Sequence, residues 1–100
     1  MLTLPIKKKW WDMIASGEKQ EEYRDITPYW AKRFQQAPRF LADGKQQFHA
    51  VLRAGYRKDS PRLAIRCWVD KGEGKTAWGA ERGKQYFRLH ITWKEKIGGA

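Results

Sequence analysis

Three stretches in the second half of the chain alternate apolar and polar residues with a period of two. Phe48, Ala50, Leu52, Ala54 and Tyr56 share one side of the first; Leu63, Ile65, Cys67 and Val69 share one side of the second; Phe87, Leu89, Ile91 and Trp93 share one side of the third. Successive side chains of an extended chain point to opposite faces, so each stretch predicts a strand with one sealed face. The opposite faces carry His49 and Arg53, then Arg66 and Trp68, then Tyr86, Arg88 and His90, which predicts a basic, partly aromatic outer surface. "GYRKDSP" is the turn between the first two strands, and the Gly-rich "KGEGKTAWGAERGK" connects to the third. Residues from about 95 to 100 read as a frayed tail.

The first third has a different rhythm. "LTL" at 2–4 is a short strand, and Pro5 suits the entry to a helix running to about residue 16. Ile6, Trp10, Met13 and Ile14 recur at helical spacing and form its expected buried stripe, with Gly17 as the C-terminal stop. Thr27 and Pro28 are a cap and a first helical residue, so "ITPYWAKRF" predicts a second short helix that buries Trp30, Ala31 and Phe34. Residues 35–46, with Pro38, Asp43 and Gly44, read as a connection. Trp11 and Trp68 fall on the non-core sides of their elements, as exposed stacking platforms or as residues beneath the connections. One or two early helices followed by short strands predict an α+β fold with a small, strongly curved sheet or barrel.

Composition narrows the class. One hundred residues make a single domain, and 41% apolar residues with fourteen aromatic ones are too many for disorder. Twenty-one Lys and Arg against eleven Asp and Glu leave a net charge of +10, which favours polyanionic partners, nucleic acid first among them. Composition by itself does not separate such a binder from a Trp-rich protein kept soluble by its charge. Cys67 stands alone, and His49 and His90 lie far apart, so no disulfide, no metal and no cofactor are expected, and a reducing, cytoplasmic setting fits. Neither a secretory run nor a membrane-spanning stretch is expected.

Chemistry concentrates in "SGEKQEEYRD", where Gly17, Lys19, Glu22 and Arg24 spell G-x-K-x-x-E-x-R. In a strand over 20–26, Glu22 and Arg24 share one face and Tyr23 takes the other, the core side. Arg24 then orients Glu22 and holds it ionised, while Lys19 either loses its proton more easily or presents a fixed positive charge. Such a trio is able to activate water and stabilise an oxyanion. The plain alternative is a surface ion-pair cluster, worth roughly 0–1 kcal/mol per exposed pair. Lys7, Lys8 and Lys9 in the first helical turn add a phosphate-attracting patch beside free backbone N–H groups.

On this signature the chain resembles the ASCH family, small relatives of the PUA-like RNA-binding barrels. The likeness extends over an early strand and helix, the motif, "YRDITPYWAKRF", and "GEGKTAWGAERGKQYF" before the last strand. It implies a small PUA-like β-barrel with two flanking helices and a cleft beside the motif. It also implies use on RNA or nucleosides, since small members remove the acetyl group from the exocyclic amine of 4-acetylcytidine and others are ribonucleases or RNA-binding modules. In the amidohydrolases a motif Lys, a Thr three positions later and a later Glu are held responsible for catalysis. The Lys carries over to Lys19. The Thr position is Glu22 here, Thr27 lies further along, and the later carboxylate is Glu73 or Glu81.

The leading expectation is therefore amide hydrolysis on an acylated cytidine, with Lys19 and Glu22 catalytic and no metal or cofactor. Substrate binding is expected from Arg24, Lys7, Trp78 and Glu81, with Trp78 stacking on the base. A non-catalytic RNA or modified-base binding module explains the charge of +10 better. A metal-independent ribonuclease, using Lys19, Glu22 and a histidine such as His90, is the third reading.

Overall fold

Strands and helices follow one another as β1 (Leu2–Ile6), α1 (Lys8–Ser16), β2 (Glu21–Asp25), α2 (Pro28–Gln36), β3 (Phe40–Ala42), β4 (Lys45–Ala54), β5 (Arg62–Glu73) and β6 (Gln85–Gly98). A 3-10 turn at Thr76–Trp78 lies between the last two strands. This computed structural model describes residues 1–99. The fold is α+β, with one mixed sheet of six strands in the order β1-β4-β5-β6-β2 and β3 paired to β4 off that path. β1 runs parallel to β4, and the other pairs are antiparallel. The ladder is open: β1 and β2 are its two end strands, and no backbone pairing joins them into a closed barrel.

The alternation read from the sequence holds along the middle of each long strand. Phe48, Ala50, Leu52, Leu63, Ile65, Cys67 and Leu89 are at most 2% exposed and form the core with Leu4, Ile14 and Phe34. Burying an apolar side chain of this size is worth about 1.5–3 kcal/mol, so this seam supplies most of the drive to fold. β1 is longer than expected. Pro5 lies inside it rather than opening the helix, which an end strand tolerates because one of its edges needs no N–H donor. Ile6 is accordingly buried from β1 and not from α1.

Several expected positions shift for identifiable reasons. α1 starts at Lys8 and buries Trp11 and Ile14, while Trp10 and Met13 are only partly covered. Trp11 is thus no platform; its indole N–H donates to the Leu52 carbonyl at 3.0 Å, which satisfies its polar edge within the core. In α2, Phe34 is buried, Trp30 half-buried, and Ala31 exposed. Tyr56 leaves the sheet because Gly55, at φ 104°, turns the chain out of β4; the ring is 82% exposed. Trp93 also leaves the core. Cys67 pairs with Ile91 but Arg66 pairs with Trp93, so Thr92 is the extra residue of a bulge and the parity of β6 flips there.

Two stretches read as connection or tail are strand. Asp43 and Gly44, both at positive φ, make the two-residue turn that folds β3 onto β4. The expected tail is the end of β6, where Glu95, Lys96 and Gly98 pair with Ala64, Leu63 and Arg62 because β5 offers them a ladder; Ala100 lies outside the described residues. The outer face also differs. Tyr86, expected outside, is buried with Tyr23 and Ala80 in a second small cluster, since the 74–80 segment folds back over β2 and β6. Trp68 is occupied: its ring stacks on His90 at 3.8 Å and 8°, with the Lys45 ammonium 4.3 Å from its centroid. No helix among the described residues is long and apolar enough to cross a membrane.

Candidate functional site

Gly17 ends α1 in the left-handed conformation, its N–H donating to the Ile14 carbonyl at 3.0 Å. The Lys19 N–H then closes on the Met13 carbonyl at 2.9 Å, which swings the Lys19 side chain back beneath α1. β2 follows as an end strand paired only with β6, with Glu22 opposite Leu89 and Arg24 opposite Phe87. Glu22 and Arg24 therefore share one face of a strand whose other edge opens toward β1.

The side chain of Lys19 is 1% exposed and that of Glu22 6%. The Lys19 Nζ lies 3.2 Å from one Glu22 carboxylate oxygen and donates to the backbone carbonyl of Trp78. It also sits 4.9 Å from the Trp10 ring centroid and 5.1 Å from that of Tyr23. The other Glu22 oxygen accepts from Arg24 Nη1 at 2.7 Å. Arg24 also donates to its neighbour's carbonyl, Tyr23, at 2.8 Å and across the open edge to the Pro5 carbonyl at 2.9 Å. One carboxylate is thus clamped between two cations, and the local charge is positive. Burial holds the Lys19 pKa below the ordinary lysine range because the ammonium has lost its water; Glu22 opposes the shift and Arg24 adds to it.

These groups line a cavity of about 230 Å³ between the end of β1, the start of α1, β2 and the 78–79 turn. Lys7, Lys19, Glu22, Arg24 and Trp78, five of the six site residues expected from the sequence, are in its wall. Glu81 is not. Its side chain is exposed, and its backbone N–H is taken by the Tyr86 hydroxyl at 2.9 Å. Glu73 is exposed on β5 and does not line the cavity either, so neither later carboxylate joins Lys19 and Glu22. Thr27 is used as the α2 cap, accepting from the Trp30 N–H at 3.2 Å.

Ile6, Trp10, Tyr23, Gly79 and Tyr86 complete the wall and were not visible as site residues in the sequence. Their apolar character reads as core, and nothing in a one-dimensional pattern says that the 74–80 segment folds over β2. That segment is held at two points, where the Lys75 N–H donates to the Tyr23 hydroxyl at 2.9 Å and Lys19 donates to the Trp78 carbonyl, and at the residue just after it, where Tyr86 accepts from Glu81. Gly79 has φ 99°, and a Cβ there would lie 3.0 Å from the Trp10 ring, so the turn comes this close only as glycine.

His90 lies outside the cavity. Its Nε2 is 2.8 Å from Asp70, which also takes a two-point contact from Arg88 at 2.8 and 2.7 Å, and its Nδ1 is 3.6 Å from Glu21. Arg88 and then His90 hold the Asp70 carboxyl below the usual range. No group of three His, Cys, Asp or Glu side chains among the described residues is placed to hold a metal ion.

Comparison of the chain with family models, curated proteins and solved structures finds no match in any of the three.

Proposed function

We propose that the protein is an amidohydrolase that removes an acyl group from the exocyclic amine of cytidine, with 4-acetylcytidine as the type substrate. The observation that carries this reading is the buried contact of Lys19 Nζ with the Glu22 carboxylate, 3.2 Å apart in the wall of the cavity. The motif's resemblance to the ASCH family supports it. So does the hydrogen bond from Arg24 to Pro5, which brings the two end strands of the sheet together at the motif although no ladder joins them.

Glu22 is the general base. It takes a proton from a water that attacks the acyl carbon, and the carbonyl oxygen becomes an oxyanion beside Lys19 and Arg24. Collapse of the intermediate breaks the bond from the acyl carbon to nitrogen. Lys19, whose lowered pKa makes it a better acid than an ordinary lysine, protonates the leaving amine. Glu22 then returns its proton to Lys19 across their direct contact, which resets the pair and leaves a carboxylic acid and cytidine. No threonine nucleophile is needed, in keeping with Glu22 standing where the related amidohydrolases carry Thr. Trp10 and Trp78 flank the space for the pyrimidine ring, and the lone buried Cys67 suits a reducing, cytoplasmic setting. Hydrolysis of 4-acetylcytidine by the wild type, followed as cytidine release, tests the proposal; no turnover of any acylated cytidine would refute it.

A second reading, a module that binds RNA without chemistry, is favoured by the surplus of ten positive charges, by Lys7 in the cavity wall and by Lys9 over the Trp10 ring, neither lysine being in an ion pair among the described residues. It predicts RNA affinity that falls steeply with salt and no release of cytidine. The ribonuclease reading needs a histidine at the site, and His90 does not line the cavity.

A further inference from the structure

Arg33 is the one residue of the sheet and helices whose buried polar atom lacks a partner: its Nε is sealed from solvent and meets no acceptor among the described residues. It belongs to none of the ion pairs of the described residues either. A native protein rarely leaves such a donor empty, because losing water without gaining an acceptor is unfavourable. The guanidinium is instead stacked among aromatic rings, its carbon 5.5 Å from the Tyr29 centroid and 5.9 Å from that of Trp30. Trp30 in turn lies 5.3 Å from the Arg24 guanidinium carbon in the catalytic cavity. Guanidinium and aromatic groups thus alternate from the cavity along α2 to Tyr29, which is 60% exposed and meets Trp30 edge-on at 82°.

Arg33 also lines a second cavity of about 230 Å³, with Gln36 as its other polar side chain beside Met1, Leu2, Ala37 and Pro38. This leaves room at the guanidinium for an acceptor from outside the chain. A phosphate oxygen fits best: it pairs with the terminal nitrogens of the planar fork, which are not sealed and have no hydrogen-bond or ion-pair partner among the described residues, and it neutralises a cation whose Nε is already cut off from water. An exposed tyrosine beside it is a platform for a base. The separation from Arg24, set by contact with one shared indole, is one that a short single strand spans.

We infer that Tyr29 and Arg33 form a subsite for single-stranded RNA, in which Arg33 takes a backbone phosphate and Tyr29 stacks a base flanking the one in the cavity. The choice of a ribose strand rests on the cytidine reading above; the subsite itself rests on the unpartnered Arg33 and the aromatic ladder. The preferred substrate would then be an acylated cytidine within a strand rather than the free nucleoside.

The test is fluorescence anisotropy on a labelled single-stranded RNA of about ten nucleotides, with the full chain and its Arg33→Met, Arg33→Lys and Tyr29→Ala variants. Arg33→Met and Tyr29→Ala are each expected to weaken binding about tenfold. Arg33→Met should also make the slope of log affinity against log salt shallower by about 0.7, Arg33→Lys should restore the slope without the full affinity, and Tyr29→Ala should leave the slope unchanged. Turnover of free 4-acetylcytidine should be unaltered in all three. Loss of RNA binding in these variants alongside a wild type inactive on acylated cytidine would refute the hydrolase and keep the subsite. RNA bound as tightly by Arg33→Met and Tyr29→Ala as by the wild type, or not bound by the wild type, would refute the subsite. Tyr29→Ala, a change at an exposed ring, decides the matter should Arg33→Met fail to fold.

Discussion

Arg24 donates to the carbonyl of Pro5 at 2.9 Å across the open end of the sheet, while its other terminal nitrogen holds Glu22 at 2.7 Å. The residue that orients Glu22, the proposed general base, is therefore also the tie between β1 and β2, the two strands with no backbone ladder between them. Chemistry and fold meet in one guanidinium. A lysine lacks the fork and cannot make both contacts. Arg24→Lys should lower stability by about 1–2 kcal/mol, near 5–15 °C in Tm for a domain of this size, and reduce kcat with it. Circular dichroism melts together with steady-state kinetics check this; a variant with unchanged Tm would show that the Pro5 contact holds nothing.

Glu22 stands between two cations in a nearly dry setting, so its charge matters more than its volume. Glu22→Gln leaves Lys19 and Arg24 facing each other without a counter-charge and should cost about 3 kcal/mol. Adding Lys19→Met removes one of the stranded cations. The double variant should be less destabilised than the sum of the two single ones, measured by urea unfolding as a double-mutant cycle. Strict additivity would mean that the pair does not interact.

The lowered pKa of Lys19 fixes the sign of a pH effect. Below the folded-state value Lys19 is charged in both the folded and unfolded chain, and burial of that charge opposes folding. Between the lowered value and the ordinary 10.5 the folded chain has released a proton that the unfolded chain still holds, so stability rises with pH. The wild type should therefore gain stability relative to Lys19→Met as pH climbs toward 10.5. Asp70 works in the opposite range: its carboxyl is held below 3.8 by Arg88 and His90, so the stability it confers is present above that pH and is lost on acidification. Urea titrations of wild type, Lys19→Met and Asp70→Asn across pH read both slopes.

Gly79 tests the turn that carries the Trp78 carbonyl to Lys19. Alanine there meets two penalties, a left-handed backbone and a Cβ 3.0 Å from Trp10. Gly79→Ala should displace the turn, cost about 1–2 kcal/mol and weaken turnover more than Gly83→Ala. Gly83 also has positive φ, but a Cβ there meets nothing within 4 Å, so it isolates backbone strain from displacement of the site.

Much of this was legible in the sequence because it follows from local rules. Period two placed Phe48, Ala50, Leu52, Leu63, Ile65, Cys67 and Leu89 inside, and the spacing of Gly17, Lys19, Glu22 and Arg24 picked out the side chains that converge. What escaped depends on pairing across the chain. Trp93 leaves the core because a bulge at Thr92 answers to the register with β5, and Tyr86 is buried because a Gly-rich segment distant in sequence covers it. Asp43–Gly44 is a two-residue hairpin signal, but the three-residue strand before it is too short to show an alternation of its own. Glu81 is a carboxylate in the Gly-rich connection, but its backbone, not its side chain, is what the fold uses. The Lys19 contact with a backbone carbonyl leaves no trace in residue identity at all.

The most direct test of the account is release of cytidine from 4-acetylcytidine by the wild type and by Lys19→Ala, with Glu22→Gln beside it and the fold of each confirmed by circular dichroism. The wild type should turn over, and each variant should lose at least about 100-fold in kcat, the worth of a proton-transfer or oxyanion group. Wild-type rates in a folded Lys19→Ala protein would contradict the central claim that Lys19 and Glu22 do the chemistry.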